Sequence, residues 1–180
     1  MASTPSSPLC PACLRNFKAA RNDNPRMVRH GFRAFHVRHG ETGGFHTGNC
    51  PGTGQARMGT EAGNAFALGQ ATGYDAEALR QEALPVITLE DATQNAISDA
   101  IAGMAQRYTR PGAARLSVAE LTAKYATPEA FRGTSYSGWF APSAIIDLAR
   151  RLTYQRGQRI AELRAAAVAL RQAIAEHPPA

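Results

Sequence analysis

Soft metal ligands are crowded into one end of this chain. Of its eight cysteines and histidines, seven fall in the first 50 residues: Cys10, Cys13, His30, His36, His39, His46 and Cys50. Only His177 lies beyond them. The stretch that carries them is rich in Gly and Arg and has few large apolar side chains. It can hardly close on a hydrophobic core of its own, and a bound Zn²⁺ is the alternative way to order it. Residues 9–54 are therefore expected to form a small zinc-knuckle head, with short β-prone pieces at Met27–Val28 and Ala34–Val37 making at most a small irregular sheet.

Spacing narrows the ligand set. Cys10-Pro11-Ala12-Cys13 is a C-P-x-C knuckle, in which two thiolates grip one ion while the backbone N–H groups between them point at the sulfurs. Cys50 sits in the turn Gly48-Asn49-Cys50-Pro51-Gly52, which can bring a third sulfur inward. The fourth ligand must be a histidine. His30, in Arg29-His30-Gly31, and His46, separated from Cys50 by three residues at finger-like spacing, both qualify. Three thiolates and one imidazole leave no open coordination position, so the zinc would be structural. An odd number of cysteines, without an export signal at the N-terminus, favours metal over disulfide and a cytoplasmic location.

Charge is distributed as unevenly as the ligands. The chain carries +6 overall. Residues 1–50 hold seven basic residues against Asp23 and Glu41, a net +5. A positive field on the head suits phosphate backbones or an acidic protein surface. Arg21, Arg26, Arg29, Arg33 and Arg38 are the candidate phosphate contacts.

From Thr60 onward the texture is alanine-rich helix, so the fold class expected is mainly α: a zinc head over 9–54, a disordered Ser/Thr/Pro-rich lead over 1–8, and an α-helical body over 55–180. Thr60 can cap a helix to about Ala71, with Gly73 stopping it and Asp75 starting another to about Leu84. Thr88 can cap the next, whose stripe is Leu89, Ile97, Ile101, Met104 and Tyr108. Arg110-Pro111-Gly112 ends it. Ser117-x-x-Glu120 is a capping box, and Thr127-Pro128 fits the start of a further turn. Residues 133–138 read as a loop, with Trp139 and Phe140 after it as bulky anchors.

The last helix is expected from Pro142 to about Glu176, interrupted only at Gly157. Its stripe of Ile145, Leu148, Leu152, Ile160, Leu163, Ala167, Leu170 and Ile174 skips register between Leu152 and Ile160. That pattern suits a helical hairpin or a coiled-coil-like seam for a homodimer. Its six arginines read as a solvated face before a binding surface. No apolar run is long enough to span a membrane.

CPACLRNF, MVRHGFR and GFHTGNCPG together resemble a pattern found in small, uncharacterised zinc-binding proteins of phages, prophages and plasmids. The resemblance covers residues 10–54 only. It implies a zinc site in which the histidine of His30-Gly31 recurs, tilting the fourth ligand to His30. Relative to the pattern the Ala34–Gly40 stretch is an insertion, which keeps His46 open. The resemblance implies no activity.

Arg38-His39-Gly40-Glu41-Thr42 resembles the signature of histidine phosphatases, where His39 would take the phosphoryl group. That fold needs a parallel α/β sheet and a second histidine late in the chain, and neither is expected here. The function expected is a zinc-stabilised nucleic-acid-binding or regulatory protein of a phage or mobile element, without enzymatic activity. The alternative is a protein-interaction module, for example one that counters a host system.

Overall fold

A computed structural model describes residues 8–17, 26–36, 44–107 and 116–179; the side chains of 31–48 lie outside that description. The fold is mainly helical. Two short strands, β1 (Gly31–His36) and β2 (Gly44–Asn49), precede helices α1 (Glu61–Ala83), α2 (Leu89–Arg107), α3 (Val118–Lys124) and α4 (Pro142–Glu176). The chain divides into two compact units. One holds the head, α1 and the end of α4 from Gln158; the other holds residues 85–157. The head-to-body boundary expected near residue 54 thus falls inside the first unit. No described helix is long and apolar enough to cross a membrane.

In the first unit β1 and β2 pair antiparallel, from Gly31 opposite Asn49 to His36 opposite Gly44. The core of this unit is built from Met58, Ala67, Ala71, Ala167, Leu170 and Ala173, with Leu9 and Leu14 of the head packed against it. Alanines here let two helices approach closely, and the burial of small side chains replaces large aromatic ones. Arg164 pairs with Glu82 at 2.7 Å and Arg171 with Asp75. Rising numbers on α4 meet falling numbers on α1, so the two run antiparallel.

Thr60 caps α1 as expected, its Oγ1 accepting from Gly63 N at 3.1 Å. Gly73 does not stop the helix. A glycine costs a helix only ~1 kcal/mol relative to alanine, and burial of Ala67, Ala71 and Ala78 on one face carries α1 through it. Leu84 and Pro85 end the run.

In the second unit Thr88 and Asp91 cap α2 reciprocally, and Ser117 and Glu120 form the expected capping box of α3. Ile97, Ile101 and Met104 of the expected stripe are buried, whereas Leu89 is exposed. Two 3₁₀ turns, Pro128–Phe131 and Ser137–Phe140, follow α3, so the expected loop over 133–138 is helical in its last residues. The aromatic anchors are Phe131 and Tyr136, with Phe140 stacked on Phe131 at 4.6 Å. Trp139 is 46% exposed, its ring edge-on to Tyr136. A 3₁₀ turn places consecutive side chains about 120° apart, so Phe140 turns inward and Trp139 outward.

α4 keeps its expected bounds, and Gly157 does not interrupt it. The register skip in its stripe falls where the chain passes from one unit to the other. Ile145, Leu148 and Leu152 pack with Ala92 and Ala96 of α2, while Ala167, Leu170 and Ile174 join the α1 core. Most of the stripe is thus packed within the chain, with Ile160 half-buried and in neither core. Arg164 and Arg171 pair with carboxylates of α1, and Arg156 donates to the Pro85 carbonyl at 2.8 Å. Most of the lead over 1–8 and the helix end at Arg110–Gly112 lie outside the described residues.

Candidate metal centre

Two tight turns and one strand entry build the site. In the first turn, Leu14 N donates to the Cys10 carbonyl at 3.1 Å and Cys10 N to the Arg15 carbonyl at 3.0 Å. Ala12 N lies 3.5 Å from Cys10 Sγ, an N–H directed at a sulfur. Leu14 takes a left-handed φ of 53° to leave the turn.

The second turn carries the same Cys-Pro-small pattern as the first. Cys50-Pro51-Gly52-Thr53 stands where Cys10-Pro11-Ala12-Cys13 stood, with Thr53 N donating to the Cys50 carbonyl at 2.9 Å. Gly54 takes a left-handed φ of 78°, where Leu14 takes 53° in the first turn. A Cβ on Gly52 would sit 2.4 Å from Cys10 Sγ, so only glycine lets the turns close on each other. Cys50 N in turn donates to the His30 carbonyl at 3.1 Å, fixing the second turn to the strand entry.

These contacts bring Cys10, Cys13, His30 and Cys50 together, with one ligand atom from each within 4.8 Å of all the others. Cys10 Sγ lies 3.7 Å from Cys50 Sγ, and Cys13 Sγ 3.5 Å from His30 Nε2. No disulfide joins the three cysteines. His30 Nδ1 is 2.7 Å from the Val28 carbonyl oxygen. That oxygen can only accept, so Nδ1 carries the proton and Nε2 presents its lone pair to the sulfurs. Phe17 packs on the imidazole with centroids 3.9 Å apart, and Met27 closes the floor beside Cys10 and Cys50. The four side chains could hold a metal ion.

Electrostatics divide the thiols. Burial pushes Cys10 up, and burial pushes Cys50 up to about 12. Burial acts on Cys13 in the same sense, but hydrogen bonds from the Arg15 side chain and backbone outweigh it and hold this thiol down at about 7. Thr53 Oγ1, at the position that matches Cys13, is buried and has no hydrogen-bond partner among the described residues.

His46 is placed by its backbone on β2, opposite Ala34, and His36 on β1, opposite Gly44; their side chains and all of His39 lie outside the described residues. Among the candidate phosphate contacts, Arg26 and Arg29 are exposed. Arg29 Nε donates to Asn49 Oδ1 at 2.9 Å. Arg33 is on β1 opposite Thr47, with its side chain outside the description, as are Arg21 and Arg38 entirely. Sequence reasoning passed over Arg15 and the doubled turn. The signal for the latter was the repeat of Cys-Pro-small-[Cys/Thr] at 10–13 and 50–53.

No family model, curated protein or solved structure matches this chain.

Proposed function

We propose that Cys10, Cys13, His30 and Cys50 bind one structural Zn²⁺, and that the basic head fastened by it binds nucleic acid through phosphate. The carrying observation is the spacing of the ligand atoms. Tetrahedral Zn–S bonds of ~2.3 Å set sulfurs ~3.8 Å apart, and a Zn–N bond of ~2.0 Å sets nitrogen ~3.5 Å from sulfur. The distances of 3.7 Å and 3.5 Å fit both. Three soft thiolates with one imidazole are also the donor set that zinc takes in closed sites. Such an ion contributes on the order of 10–16 kcal/mol of apparent binding energy to ordering its fold. The resemblance of residues 10–54 to small zinc-binding proteins of phages and plasmids agrees with this reading.

The net +5 of residues 1–50 supports the nucleic-acid reading. Arg29 and Arg33 flank the anchored His30, and Arg29 is further braced by Asn49. Phosphate contacts of this kind position without reading sequence, so weak sequence choice is expected. We assign Arg38-His39-Gly40-Glu41-Thr42 no catalytic role in this reading. The test is equilibrium binding to generic double-stranded DNA and to RNA across a salt series. Affinity should fall by a log–log slope of about −0.9 per phosphate neutralised on B-DNA. Absence of binding at low salt would turn the assignment to a protein partner.

A further inference from the structure

The three thiols of the centre differ in what they face. Cys10 and Cys50 are 0% and 2% exposed, whereas Cys13 is partly exposed. Cys13 forms part of the wall of a cleft of about 360 Å³ within the first unit. Leu14, Tyr74, Ala166 and Leu170 make its apolar sides, and Arg15 adds a guanidinium beside the sulfur. A structural ligand has no need of such an approach.

We propose that Cys13 is a modification site: the one sulfur of the centre open to small, soft carbon electrophiles, which reach it through this cleft. The thiolate is the nucleophilic form of cysteine, and three thiolates around one divalent ion leave an excess of negative charge on the sulfurs. The apolar walls suit a compact uncharged body, and Arg15 suits a carbonyl or carboxylate head. With iodoacetamide as the probe, a Cys13 lone pair forms the S–C bond as the C–I bond breaks, and iodide departs. The product is a neutral thioether in place of an anionic ligand. Two thiolates and an imidazole then remain, with an open position from which the ion is lost. Leu14, next in the chain, packs against the α1 and α4 core. Loss of the ion would therefore loosen the seating of the first turn on those helices.

The metal-release arm rests on the zinc reading; the order of alkylation does not. Full-length protein is treated with sub-stoichiometric iodoacetamide, peptides are mapped by mass spectrometry, and freed metal is followed with a chromogenic chelator. Cys13 should be alkylated first, with metal release tracking it. Ala169→Phe, at an exposed α4 position on the cleft rim, should slow Cys13 alkylation several-fold while metal content stays at the wild-type level. Ala166→Leu, on the cleft wall, serves as the second variant. Equal labelling of all three cysteines, labelling of Cys10 or Cys50 first, or unchanged rates in both folded variants would overturn the proposal. Cys13-first labelling in a preparation that carries no metal would uphold the cleft and remove the zinc reading.

Discussion

The Nδ1 of His30 lies 2.7 Å from the backbone oxygen of Val28. This contact sets the tautomer and aims Nε2 at the thiols. His30→Ala should therefore weaken zinc binding by more than the roughly 10–100-fold that loss of an outer hydrogen-bond partner costs. His46→Ala should leave the affinity near wild type. Chelator competition on both variants checks this, and metal loss confined to His46→Ala would make His46 the fourth ligand.

Metal binding must displace protons, because zinc takes thiolates. At neutral pH, Cys10 and Cys50 are held as thiols by burial, and Cys13 titrates near 7. Calorimetry in buffers of different ionisation enthalpy should register between about two and three protons released per zinc at pH 7. The sign follows: acidification below 7 protonates Cys13 as well, so apparent affinity falls with falling pH and rises with rising pH. A pH-independent affinity between 6 and 8 would be incompatible with these thiols as ligands.

Two glycines should respond in opposite directions. Gly73 lies inside α1 with open space around the position of a Cβ, so Gly73→Ala should stabilise the protein by about 0.5–1 kcal/mol. Gly52→Ala would drive a methyl to 2.4 Å from Cys10 Sγ and should lower both metal affinity and thermal stability. Thermal unfolding with zinc in excess reads both. A neutral Gly52→Ala would mean that the two turns do not close as described.

For nucleic acid, replacing Arg29 and Arg33 together by alanine should reduce the salt slope by about two phosphate contacts while zinc stays bound. An unchanged slope would remove both from the interface.

The helical body was largely legible in the sequence because its signals are local. Ser117 and Glu120 form their box within four residues, and six of the eight α4 stripe residues are buried, Ile160 and Ile174 being half-buried. The errors came where tertiary packing outweighed a local cue. Gly73 stays helical because its neighbours bury one face of α1, and Trp139 turns outward because Phe131 and Tyr136 already fill the core beside it. The knuckle and Cys50 could be read from spacing, which left His30 and His46 both open as the fourth ligand. The distribution of alanines between two cores could not, since a stripe says which face is buried and not what covers it. Arg15 was invisible for a similar reason: its hydrogen bond to Cys13 depends on the chain reversing after Leu14.

The most direct test of the account is the metal content of the protein purified without added metal or chelator, measured together with its native thiol count. The account predicts about one zinc per chain, slow reaction of the native thiols led by Cys13, and quick reaction of all three once a chelator is added. A metal ratio near zero, with all three thiols freely titratable in the native protein, would contradict it.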